Sequence, residues 1–125
     1  MFDKKVPKSL RIWFLIHFVV DIIFAIPLMF FPAWLLNLLT LPVDETVTAR
    51  LVGAALIGIG GASFFAHKKG WETYDILLTL KILWSVSAIV ALLISFFVTM
   101  NPVIWLLIII FGVFSGIWMY YKFRD

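Results

Sequence analysis

The chain has 125 residues, enough for one domain, of which 64% are hydrophobic and only 14% charged, with a mean hydropathy of +1.11. That balance excludes an ordinary soluble domain and indicates an integral membrane protein. The net charge of +3 does not point to nucleic acid, because the Lys and Arg residues stand at the edges of apolar runs, where they act as topology determinants. The absence of cysteine excludes disulfides, thiolate metal sites, iron–sulfur clusters and cysteine nucleophiles.

The first apolar run, 10–31, follows a Lys-rich start and is longer than a signal-peptide core. No small-residue cleavage site comes after it, so it is expected to be a retained signal anchor. "FPAWLLNLLTLPVDET" comes next, bracketed by Pro32 and Pro42 and carrying Trp34 and Asn37. It is too short to cross a bilayer and suits a short helix in the headgroup plane. Three more runs of spanning length follow, at 47–66, 76–98 and 102–121. Asn101 before Pro102 fits an N-cap with proline at the first helical position, which makes the last two spans a tight antiparallel pair. Trp105, Trp118, Tyr120 and Tyr121 are expected to mark the two interfaces of the last span. The expected fold is an all-α, antiparallel four-helix transmembrane bundle with an interfacial helix between its first two spans.

Orientation follows from the cations. Lys4, Lys5, Lys8 and Arg11 precede the first span, Lys68 and Lys69 separate the second from the third, and Lys122 and Arg124 follow the fourth. The other two loops, around Asp44, Glu45 and Asn101, hold no Lys or Arg. Both termini are therefore expected on the cytoplasmic side of a cell membrane.

Between spans in lipid, small residues and polar contacts bring helices together. Ala54, Gly58, Ala62 and Ala66 recur at steps of four in the second span, with Arg50 one step earlier, and Gly112 and Gly116 form a GxxxG in the fourth. These stripes are expected to pack inside the bundle or, alternatively, to join a second copy or a partner membrane protein.

The chemistry-bearing residues are fewer. His17 and Asp21, four apart on the first span, share a face near the bilayer midplane. An ionised aspartate there would be destabilised by at least ~2.5 kcal/mol, so it calls for a partner, a proton or a wet cavity. Lys81 and Arg50 are the cations within reach of the spans, Lys81 able also to snorkel to its own interface. Three readings compete for this group. It is a structural clasp. It is the polar end of a cavity for a lipid-like ligand, with Trp13 and Trp84 in its walls. Or it is a proton path through Asp21 and His17. No catalytic set, metal set or cofactor motif is evident. His67 reads as a solvated loop histidine, Ser85, Ser87 and Ser95 as bonded back to their own helix, and Glu72 and Asp75 with Lys68, Lys69 and Tyr74 as a solvated charged loop. The expected function is accordingly non-enzymatic: binding a lipid-like hydrophobic ligand or a partner membrane subunit. A proton-coupled carrier or channel is the alternative and an intramembrane enzyme the third possibility.

"FPAWLLNLL" after the first span and "ARLVGAALIGIGG" opening the second resemble the small four-span DoxX-like membrane proteins over about the first half of the chain. That resemblance implies a four-helix bundle, with some members serving as accessory subunits of membrane redox or assembly complexes. It does not extend to the His17 and Asp21 pair. The buried carboxylate alone resembles the sterol-binding four-span proteins.

Overall fold

The computed structural model describes residues 5–124, so Lys4 lies outside the described residues. Five helices follow one another: α1 (Lys8–Phe30), α2 (Pro32–Leu38), α3 (Val47–Phe65), α4 (Trp71–Thr99) and α5 (Val103–Phe123). All but α2 are long and apolar enough to cross a membrane. The chain divides into two units, one built from α1 to α3 and the other from residue 72 onward.

In the first unit α1 and α3 run antiparallel, with their backbones in close approach at two glycines. A Cβ on Gly53 would lie 2.8 Å from Met29 Cγ and 3.1 Å from the Ala25 carbonyl oxygen, and one on Gly60 would lie 2.8 Å from Asp21 Cβ. At Gly60 the atom met is the root of a side chain, so a Cβ would push the helices apart, and at Gly53 Met29 would have to turn aside and the Ala25 carbonyl give by a few tenths of an ångström. The two glycines are seven apart, two helical turns, and with Leu56 and Ser63 they form the buried face of α3. The opposing face of α1 buries Leu10, Phe14, His17, Asp21, Ala25 and Leu28.

This corrects the expected packing stripe. Ala54 and Gly58 are exposed, Ala62 is half-buried and only Ala66 is buried. At 3.6 residues per turn a step of four drifts by ~40°, so three steps rotate ~120° around the helix. The stripe starts facing outward and finishes facing inward, whereas a step of seven returns to nearly the same direction. The GxxxG of α5 also departs from intramolecular packing: Gly112 and Gly116 are exposed, with no atom within 4 Å of where a Cβ would stand.

Each end of the α1–α3 pair is tied by an arginine from the opposite helix. Arg50, in the first turn of α3, donates from Nε to the Met29 carbonyl (3.0 Å) and from Nη1 to Thr46 Oγ1 (3.1 Å). Arg11, near the start of α1, donates from Nη1 to the His67 carbonyl at 2.5 Å. Neither α1 nor α3 has a basic residue in its own last turn. In an antiparallel pair one helix's first turn lies beside the other's last, so a cation poorly placed for its own dipole serves its neighbour's orphan carbonyls. Between these helices α2 starts at Pro32, whose ring suits the first helical position, and buries Pro32 and Leu35 while Trp34 is exposed. It ends in a Schellman motif. Leu41 N–H donates to the Leu36 carbonyl (2.8 Å) and Thr40 N–H to the Asn37 carbonyl (3.0 Å), with Thr40 at φ 57° where glycine is usual.

The second unit is an α4–α5 hairpin joined through long side chains. From its open end to its turn, Lys122 Nζ meets Asp75 Oδ1 at 2.6 Å, Lys81 Nζ lies 4.8 Å above the Trp118 ring, Trp84 meets Phe111 edge-on and Phe96 meets Trp105. At the turn the expected arrangement is displaced by one residue: Pro102 is itself the N-cap of α5, and Asn101, one position before it, accepts at Oδ1 from Val103 N–H (3.1 Å).

Two expectations fail here. Residues 71–75 belong to α4, which starts at Trp71. Its 29 residues give a length of ~44 Å, more than the ~30 Å hydrocarbon core. Glu72 favours that first turn through the helix dipole, and Tyr74 is fully buried, so no solvated loop exists at these positions. Trp118 and Tyr121 are buried rather than interfacial, leaving Trp105 and Tyr120 as the exposed members of the expected four.

Candidate functional site

In the first unit, the features that organise the candidate site are the i,i+4 spacing of His17 and Asp21 and the glycine facing them. Both side chains project from one face of α1 and are buried, at 5% and 4% exposure. His17 Nε2 stands 3.3 Å from Asp21 Oδ1. Asp21 also lies directly against the backbone of α3, since a Cβ on Gly60 would come within 3.1 Å of Oδ2 as well as 2.8 Å of Asp21 Cβ. Ser63, one turn past Gly60, is buried and donates back to the Ile59 carbonyl at 3.1 Å. The pair is thus built into a helix–helix contact, where one imidazole and one carboxylate share a proton-accepting and proton-donating edge away from bulk water.

Arg50 does not belong to this pair. Its guanidinium caps Met29, eight residues beyond Asp21 and so ~12 Å further along α1. Of the two cations open as partners for Asp21, Arg50 is engaged elsewhere: the end of α1 leaves carbonyls that recruit it. Trp13 is half-buried on α1.

In the second unit, Lys81 is 1% exposed on the face of α4 that also buries Tyr74, Leu78 and Ser85. Its ammonium over the Trp118 ring makes a cation–π contact, which in a desolvated setting contributes about 2 kcal/mol. Phe114 stacks on Trp118 from the same helix. Trp84 is half-buried against Phe111. Ser85 and Ser95 donate to the carbonyls of Ile82 and Ala91, as expected of serines in apolar helices.

Sequence reasoning missed Gly53, Gly60, Arg11 and Trp118. The seven-residue spacing of the two glycines was a usable signal, as was the oddity of an arginine in a helix's first turn. Nothing local distinguishes Trp118, a residue near a span end, from an interfacial tryptophan. Among the described residues no three His, Asp or Glu side chains are placed to hold a metal ion.

Fold and site together define a class: an α-helical chain with four helices long and apolar enough to cross a membrane, carrying ionisable side chains in the interior of its helices. No protein-family model, curated protein or solved structure matches the chain.

Proposed function

We propose that this is a small multi-pass protein of the cell membrane, with both termini cytoplasmic, whose work is binding rather than catalysis. It engages a partner membrane subunit through the outward small-residue faces of α3 and α5. A lipid-like hydrophobic ligand is the other occupant that such a smooth face would take. The observation that carries this reading is the exposure of Gly112 and Gly116, where nothing stands within 4 Å of the missing Cβ atoms. A GxxxG face with open space over both glycines admits another backbone or an acyl chain at close range. Gly58 offers the same on α3. The polar residues of the notional site then have structural work: His17 and Asp21 at the α1–α3 contact, Lys81 on Trp118, and Arg50 at the end of α1. An accessory-subunit role of the DoxX-like kind accords with this division of labour.

The test is native mass spectrometry of protein extracted in mild detergent, comparing wild type with Gly112→Leu/Gly116→Leu. Wild type should retain a stoichiometric protein or lipid species that the variant loses at unchanged thermal stability. Repeated recovery of bare wild-type monomer would contradict the proposal.

The 3.3 Å approach of His17 to Asp21 favours a second reading, a proton-coupled carrier in which this pair relays the proton. It requires that Asp21→Asn abolish a proton flux measurable in liposomes with a pH-sensitive dye.

A further inference from the structure

The end of the first unit where α1 begins and α3 finishes gathers positive charge. Arg11, bonded to the His67 carbonyl, fixes the start of α1 beside the residues that follow α3. Lys68 and Lys69 are therefore held close to the first turns of α1, which carry Lys8. Lys8, Lys68 and Lys69 are all exposed, and among the described residues none of the three forms an ion pair with a carboxylate.

Below Lys8 lies a surface of opposite character. Ile12, Ile16 and Val19 follow it at four, eight and eleven residues, on the same face of α1, and are exposed. With Leu15 and Val20 they line a shallow, wholly apolar groove of about 300 Å³. From Ile12 to Val19 the groove runs ~10 Å along the helix, within the ~15 Å of one leaflet's hydrocarbon. A strip of apolar surface headed by a lysine, with two more lysines at the same membrane edge, is complementary to an amphiphile with an anionic head.

We propose that this end of the α1–α3 pair is a binding site for an anionic phospholipid. The phosphate is held by Lys8 with Lys68 and Lys69, and an acyl chain lies along the groove formed by Ile12, Leu15, Ile16, Val19 and Val20. Charge selects the occupant: clustered ammonium groups attract a net-negative headgroup and are indifferent to or repelled by one that carries its own quaternary ammonium. Arg11 positions the cluster and does not itself need to touch the lipid. The inference shares with the proposed function the premise that the chain works by binding within the membrane, but it uses a different helix.

The experiment follows thermal unfolding of the full chain in detergent during titration with phosphatidylglycerol, phosphatidylcholine or inorganic phosphate. It compares wild type, Lys8→Gln/Lys68→Gln/Lys69→Gln, and Val19→Trp, which fills the groove from an exposed position. Phosphatidylglycerol should raise the wild-type Tm saturably, while the other two additives leave it unchanged. The triple variant should need at least about tenfold more phosphatidylglycerol for the same shift. Val19→Trp should weaken the response with its lipid-free Tm intact. Equal stabilisation by phosphatidylcholine would overturn the proposal. An equal response to inorganic phosphate would replace it with a free-anion site, and undiminished binding by Val19→Trp would remove the groove. Gly112→Leu/Gly116→Leu should respond to phosphatidylglycerol as wild type does, so failure here and failure of the proposed function are told apart.

Discussion

Replacing Gly60 with alanine should force α1 and α3 apart. The new Cβ would stand 2.8 Å from Asp21 Cβ and 3.1 Å from Oδ2. Carbon atoms in comfortable contact lie ~3.5 to 4.0 Å apart, so the shortfall is about 1 Å. Asp21 Cβ is the root of its side chain, so no rotamer change relieves the clash and the helices themselves must give. Overpacking of this kind destabilises by about 1 to 3 kcal/mol. Gly58→Ala is the control, because nothing lies within 4 Å of its missing Cβ. There the gain in helix propensity, up to ~1 kcal/mol, is all that remains, and stability should hold or rise. Reversible denaturation in mixed micelles, read by tryptophan fluorescence, measures both. Asp21→Ala keeps the offending Cβ and should not rescue Gly60→Ala, whereas Asp21→Gly removes it and should recover part of the loss on that background. Gly60→Ala as stable as wild type, or Gly58→Ala equally damaging, would refute the argument from close approach.

Three further outcomes are expected. Arg50→Gln should lower stability by about 1 kcal/mol by uncapping α1 at Met29, and Arg50→Lys should recover little, since one ammonium does not reproduce the separate Nε and Nη1 bonds to Met29 and Thr46. Thr40→Gly should raise stability by about 1 kcal/mol, because a β-branched residue at φ 57° is strained where glycine is not. Glu45 accepts a hydrogen bond from the Thr48 backbone N–H at 2.7 Å, which, with the Thr48 side chain, holds its carboxyl below the ordinary value of 4.5. A carboxylate depressed by folding stabilises above that ordinary value and loses its contribution as pH falls through the folded one. Glu45→Gln should therefore be less stable than wild type at neutral pH and indistinguishable from it in acid, and a deficit that persists in acid would contradict the assignment.

The spans were legible because a bilayer demands long apolar runs with every backbone group bonded internally, a demand that residue type alone reveals. α2 was legible from Pro32, Pro42 and the composition between them. What escaped was direction around each helix. In a chain apolar on all sides, periodicity no longer separates inside from outside, so Ala54 and Gly58 looked as suited to packing as Gly53 and Gly60. Depth along the spans leaves Lys81 and Arg50 both open as partners for Asp21, and what engages Arg50 is the Met29 carbonyl near the end of α1, a contact between residues far apart in sequence. The i,i+4 spacing of His17 and Asp21 was readable without coordinates and is found as a 3.3 Å pair. The glycine closing over it was not, because that contact joins residues far apart in sequence.

The central claim is that the exposed small-residue faces of α3 and α5 engage a partner in the membrane. The native sequence contains no cysteine, so single cysteines can be placed at Gly116, at Gly58 and, as an inward control of matching size, at Ser63, which is 1% exposed. Oxidative cross-linking in native membranes should trap a discrete higher-mass species through residue 116 or 58 and none through residue 63. No adduct from either outward position, with the protein correctly inserted, would contradict the account.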